Sequence, residues 1–151
     1  MPRKPLSREE KVRQLEKPLG MTLAALKACI DEADGDLRLR VPPLRRVPGS
    51  LRLVVRAKLP NVPESWAMSL LLDNVIIDCV HHHTTEYTNT NGRKAVGWHR
   101  DLLTAGQNIG RQTLDKFSPK KLDEFLVLAL DLFRLTLKEG REDAHGQLPI
   151  N

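Results

Sequence analysis

Four of the five histidines in this chain, His81, His82, His83 and His99, fall inside the stretch Cys79–Asp101, "CVHHHTTEYTNTNGRKAVGWHRD". Imidazole exchanges a proton near neutral pH and ligates transition metals, so this stretch is where chemistry would sit. Three uses compete. His82, His99 and Arg100 beside a basic sheet are the ingredients of a metal-independent ribonuclease: two groups that pass a proton and a cation for the charge developing on phosphate. His82, His99 and Asp101 could instead converge on a metal ion. Neither H-E-x-x-H nor a paired Cys/His spacing is present, however, and no metal or cofactor is expected. In the third use the histidines are the polar end of an ordinary sheet, with His81 and His83 half-buried and hydrogen-bonded.

Strand alternation decides which of these residues can meet. His81 and His83 share one face with Ile77 and Cys79, which makes that face the expected inner one. His82 then points outward beside Asp78. A two-residue turn at Asn91-Gly92 pairs Thr84 with His99 and His82 with Asp101, so that His82, His99, Asp101 and Glu86 share the outer face. A loop with an odd number of residues reverses this and sets His99 beside His81 and His83. The even turn is the expectation, because Asn-Gly suits two-residue turns. Arg100 alternates to the face opposite His99.

The elements that must hold these residues follow from pattern. "SREE" reads as a capping box, with Ser7 as N-cap of a short helix ended by Pro18 and Gly20. Thr22 to Ala33 reads as a second helix, with Leu23, Leu26 and Ile30 on one stripe and Asp34-Gly35 as the stop. Pro42, Pro43, Pro48 and Gly49 then interrupt regular structure, leaving room for one edge strand over Leu37 to Val41. Leu51 to Leu59 alternates, with Leu51, Leu53, Val55, Ala57 and Leu59 inward and Arg52, Arg56 and Lys58 outward. Trp66 to Leu72, a turn at Asp73-Asn74, and Val75 to about Thr88 follow. That turn pairs Leu72 with Val75, Leu70 with Ile77, Met68 with Cys79 and Trp66 with His81. "RKAVGWHRD" returns as the last strand. "LTAGQNIGRQTLDKF" reads as a polar connection, and Ser118 to Gly140 as a helix capped by Ser118-Pro119, with Phe125, Leu126, Ala129, Leu130 and Phe133 on its apolar stripe.

The expected fold is therefore α+β: a helical N-terminal segment with a Pro/Arg-rich connection over 1–49, a body over 50–140 and a tail over 141–151. The body is a four-stranded antiparallel meander with the C-terminal helix packed on one sheet face. Cys29 and Cys79, in apolar surroundings with no C-x-x-C spacing, read as buried thiols of a reducing compartment. No apolar run approaches the ~20 residues of a membrane helix, and the expected location is cytoplasmic.

The net charge is +5. Its distribution is more informative than its size. Arg38, Arg40, Arg45, Arg46, Arg52, Arg56 and Lys58 stand against one acid, Asp36, between residues 36 and 60. A cluster of that kind suits phosphate or an acidic partner. These seven residues are the candidate nucleic-acid-binding set.

The order of features resembles a known family. A meander ending in His99-Arg100, a variable loop, and Phe117 before a helix that opens "SPKKLDEF", with Leu122 and Phe125, looks like the TumE-type small toxins of bacterial toxin–antitoxin pairs. The resemblance spans about Leu51 to Leu137. Asp101 stands where that pattern carries a second histidine. The resemblance implies a bacterial or prophage source, a cognate antitoxin and an RNA target inside the cell. The expected function is a small toxin-like protein acting on RNA or another nucleic acid through a His/Arg site on a β-hairpin. The alternative is a non-catalytic module binding nucleic acid or protein with its basic sheet face.

Overall fold

A computed structural model describes residues 5–88 and 94–138, with the backbone alone at 84–88, 94 and 95. The expected turn at Asn91-Gly92, the side chain of Glu86, the helix stop at Gly140 and the tail lie outside the described residues. The fold is α+β, with three helices and a six-stranded antiparallel sheet. Helices α1 (Arg8–Gln14) and α2 (Leu23–Glu32) precede the sheet, and α3 (Leu122–Leu132) follows it. A short strand β1 (Lys17–Pro18) pairs in parallel with β8 (Leu135–Thr136), which ties the N-terminal segment to the chain after α3.

Strands β2 (Asp36–Val41), β3 (Leu51–Arg56), β4 (Ala67–Leu72), β5 (Val75–Thr88), β6 (Lys94–Thr104) and β7 (Gln107–Thr113) lie side by side in chain order. The four-stranded expectation falls short at both edges. Asp36–Val41 is a full strand of the same sheet, paired from Asp36↔Arg56 to Val41↔Leu51. The polar connection is a hairpin: Ala105 and Gly106 take φ 52° and 77°, the left-handed pair that a tight two-residue turn needs, and β7 returns along β6. Polar residues at the edge of a sheet carry no apolar alternation, so the sequence pattern hid this strand.

The helices cover one face. Leu53, Val55, Met68 and Val80 from the sheet share a single apolar cluster with Val12, Leu26, Ile30 and Phe125 from the three helices. Trp66 and Trp98 stack against Phe125 with ring centroids 5.7 and 5.6 Å apart. Ser7 caps α1 by accepting from the Glu10 amide, and Thr22 caps α2 by accepting from Ala25. The last helix starts later than Ser118-Pro119. Its N-cap is Lys121, whose amide donates to the Glu124 carboxylate at 3.2 Å. It stops at Leu132, because Arg134 turns left-handed at φ 56° to enter β8.

Two β-bulges give the sheet its functional asymmetry. In β5 the pairing passes from Leu71↔Ile76 to Leu70↔Asp78, so Ile77 is an extra residue, and Ile77 and Asp78 are both buried. The side chains from Asp78 to His83 change face relative to the expected register. Met68 meets Val80 rather than Cys79, and Asp78, Val80 and His82 turn toward the helices, while Cys79, His81 and His83 turn to the open face. In β7 the pairing passes from Leu102↔Gly110 to Leu103↔Asn108. Arg13 of α1 reaches both irregularities, donating to the Ile77 carbonyl at 3.0 Å and the Leu103 carbonyl at 2.6 Å. Close by, the buried Lys17 ammonium donates to the carbonyls of Val12 and Arg13 in the last turn of α1 and of Leu15, its C-cap.

Arg13 therefore joins the N-terminal helix to the sheet at two of its three irregular points. Arg13→Met removes the donor for two carbonyls at positions that water reaches poorly, at about 1–3 kcal/mol per unsatisfied group. The expected loss is about 2–4 kcal/mol, measured as the urea-unfolding free energy, with no change in the far-ultraviolet spectrum at low urea. A loss under about 0.5 kcal/mol, the usual effect of a surface change, would show that α1 is not coupled to the sheet through this residue.

Candidate functional site

The histidines lie where β5 meets β6. His81 pairs directly with His99 and His83 with Gly97. Thr88 pairs with Lys94, leaving an odd number of residues between the strands, which is the parity that brings His99 beside His81 and His83. The even-turn expectation is thus corrected, and His82, His99 and Asp101 do not share a face. His82 points toward the helices, edge-on to Trp98 at 5.3 Å. Arg100 shares that side and forms a two-pronged pair with the buried Asp78, at 2.9 and 2.7 Å. Of the three residues expected to act together, His99 alone is on the open face.

That face instead carries His81, His83, His99 and Asp101, with Arg111 reaching in from β7. The His81 and His99 ring centroids are 3.9 Å apart, and the His83 ring stacks on His99 at 4.4 Å with 16° between planes. Gly97 lies beside that stack on β6. It takes φ 106° opposite His83, a backbone conformation that side-chain-bearing residues rarely adopt. One Asp101 oxygen, Oδ2, lies 3.2 Å from His81 Nε2 and 3.4 Å from His99 Nε2. The other, Oδ1, accepts from Arg111 Nε at 2.8 Å.

These contacts set the electrostatics. Burial opposes charge on His81, but its hydrogen bonds to Asp101 and Cys79 outweigh burial and raise its pKa to about 9. His83 is lowered, by burial and then by the neighbouring charges of His99, His81 and Arg111. Burial pushes Asp101 up, but the hydrogen bonds from His81, His99 and Arg111 dominate and hold its carboxyl well below the usual range. On the opposite face burial raises the Asp78 carboxyl, against the pull of Arg100, Arg13 and Lys17.

The cluster stands at one end of a groove across the open face. A cavity of ≈ 300 Å³ runs from His81 and Cys79 over Ser69 and Val54 to Arg38 and Arg56. The register places Arg40 opposite Arg52 on the same face, one pair further along. None of these four arginines forms an ion pair with a described residue. Arg45 and Arg46 sit in the turn between β2 and β3, and Lys58 follows the end of β3; all three are exposed, off the strands. Cys29 and Cys79 are half-buried free thiols rather than core cysteines, and Cys79 lines the groove. No helix among the described residues is long and apolar enough to cross a membrane.

Sequence reasoning missed His81, His83 and Arg111 as site residues. One signal was available: residues two apart on a strand share a face in every register, so His81-x-His83 presents two imidazoles together whichever way the strand turns. Arg111 had no comparable signal, since β7 itself was hidden. Compared with protein-family models, curated proteins and solved structures, the chain matches none, so the reading of its function rests on this face.

Proposed function

We propose that the open sheet face binds a single-stranded phosphodiester backbone, RNA first of all, and cleaves it at the His81–His83–His99 cluster. Support comes from one observation above all: Arg38 and Arg56, which form no ion pair with a described residue, line one groove with His81, against which His83 and His99 pack. Guanidinium groups recognise phosphate by paired N–H donors, and a basic groove raises the local concentration of a polyanion. Imidazoles at the end of that groove supply what cleavage requires, groups that carry a proton or hold an ion that activates water. The family resemblance points the same way, to a toxin-like protein with an RNA target and an antitoxin partner. His99 keeps the role expected from sequence, while His81 and His83 replace His82 and Arg100 around it.

The second reading is a non-catalytic nucleic-acid-binding module, and the same arginines favour it. Both readings require the arginine face. Arg38→Glu combined with Arg56→Glu is therefore expected to weaken binding of a fluorescent single-stranded RNA oligonucleotide at least tenfold. The slope of log K against log salt should fall by about 1.4, at ~0.7 per lost phosphate contact on a single strand. Arg45→Glu with Arg46→Glu, in the loop, should change the slope less. Equal affinity for the wild type and the Arg38/Arg56 variant at all salt concentrations would remove RNA from the account.

A further inference from the structure

We infer that His81, His83 and His99 bind one divalent transition-metal ion of the zinc class, with Asp101 Oδ2 as a fourth donor. The proposal deepens the reading above: its catalytic use rests on that reading, while the binding of the ion does not. Each of the three rings brings one nitrogen to within 4.8 Å of the other two. A tetrahedral site with metal–nitrogen bonds of about 2.0–2.1 Å needs its donors about 3.4 Å apart. Small rotations about the side-chain torsions close that difference, and backbone shifts are not required.

The Asp101 distances fit the same geometry. Charge-assisted hydrogen bonds between nitrogen and carboxylate centre on about 2.7–2.9 Å. Oδ2 of Asp101 is 3.2 Å from His81 Nε2 and 3.4 Å from His99 Nε2. Both separations are close to the edge of a tetrahedral coordination shell. The second carboxylate oxygen is already held by Arg111 at 2.8 Å, which fixes the orientation of the first. Support continues behind the ligands. His99 is fully buried and its place on β6 is set by pairing on both sides, to His81 and to Thr113. His81 and His83 stand on one strand with the two-residue spacing that points both rings at the same spot. Imidazole with one carboxylate suits zinc, cobalt(II) or nickel(II) better than the harder magnesium or calcium, which take oxygen ligands.

An ion there would stand at the end of the arginine groove, where a phosphate held by Arg38 and Arg56 leads toward it. A zinc-class ion polarises a phosphoryl oxygen and lowers the pKa of a bound water, both of which hydrolysis uses. With four protein donors the ion would accept such a water by expanding to five-coordination.

The test uses the untagged full-length protein stripped with chelator and dialysed, with no nucleic acid present. Titration with Co²⁺ alone should give visible d–d bands saturating at one equivalent, and Zn²⁺ should displace them. His83→Ala removes a ligand that is only half-buried, so the apo fold should keep its melting temperature. Its Zn²⁺ affinity should fall about 100-fold, at or above the 10–100-fold typical of losing a supporting group outside the ligand shell. His82→Ala, one residue away on the opposite face, should bind Zn²⁺ as the wild type does. Absence of a saturable one-equivalent Co²⁺ spectrum in the wild type, equal affinity for His83→Ala and wild type, or equal losses in the His82 and His83 variants would each overturn the site. The Arg38/Arg56 reversal should leave the Co²⁺ titration unchanged. Failure of RNA binding and failure of metal binding therefore register in separate measurements.

Discussion

Asp78→Ala is expected to lose about 3–5 kcal/mol of folding stability, the range for breaking a buried ion pair from one side. Asp78 is fully buried, and its carboxylate takes two donors from Arg100 at 2.9 and 2.7 Å. Truncation leaves the mostly buried Arg100 guanidinium without its carboxylate, with Arg13 and Lys17 adding positive charge nearby. Against a total of about 5–15 kcal/mol for a domain, such a loss removes a third or more of the stability. Asp78→Leu with Arg100→Leu should recover much of it, because replacing both partners removes the desolvated charges together. Urea unfolding of the three proteins checks this. A single-site loss below about 1 kcal/mol, or a double variant no better than the single, would mean that the pair is solvated and that the bulge does not bury Asp78.

Asp101→Asn acts on the other face and should separate function from folding. The amide keeps the shape of the carboxylate but loses its charge and one acceptor, so Arg111 and the two histidines lose their common anchor. Asp101 is the proposed fourth donor, and its change should lower Zn²⁺ affinity by at least the 10–100-fold typical of losing a supporting group outside the ligand shell, and RNA cleavage by at least as much. Stability should fall only by about 1–3 kcal/mol, since the Asp78–Arg100 pair and the apolar cluster are untouched. Parallel Zn²⁺ titrations and melting curves distinguish the two effects. Unfolding of the variant at room temperature would assign Asp101 to the fold rather than to the site.

Much of the scaffold was legible because local chemistry alone decides it. Ser7 and Thr22 cap helices as their hydroxyls and spacing suggest, and Asp73-Asn74 takes φ 50° and 66° as a two-residue hairpin turn requires. The long third strand ends where the alternation does, from Val75 to Thr88. The site was not legible, for a geometric reason. One unpaired residue, Ile77, reverses the facing of the side chains from Asp78 to His83, and a bulge leaves no mark in a hydrophobicity pattern. Asp78 compounded the error. An isolated acid reads as an outward residue, and its partner Arg100 is 22 positions away in the chain. His82 was expected beside His99 and instead faces the helices, Arg100 lies opposite His99 as alternation requires, and His81 and His83 exchanged the inner face for the groove side. His99 and Asp101 kept their shared face, because residues two apart on β6 stay together in any register.

The central claim is that the arginine groove delivers RNA to the His81–His83–His99 cluster, and RNA cleavage tests it most directly. Wild-type protein and His83→Ala, both loaded with one equivalent of Zn²⁺ at concentrations that saturate each, would be incubated with a 5′-labelled single-stranded RNA. The fragments would then be resolved by gel. The account predicts discrete cleavage by the wild type and a rate at least about 100-fold lower for His83→Ala, at equal RNA affinity and equal melting temperature. Intact RNA with both proteins, or equal cleavage by both, would contradict it and leave the open face as a binding surface without chemistry.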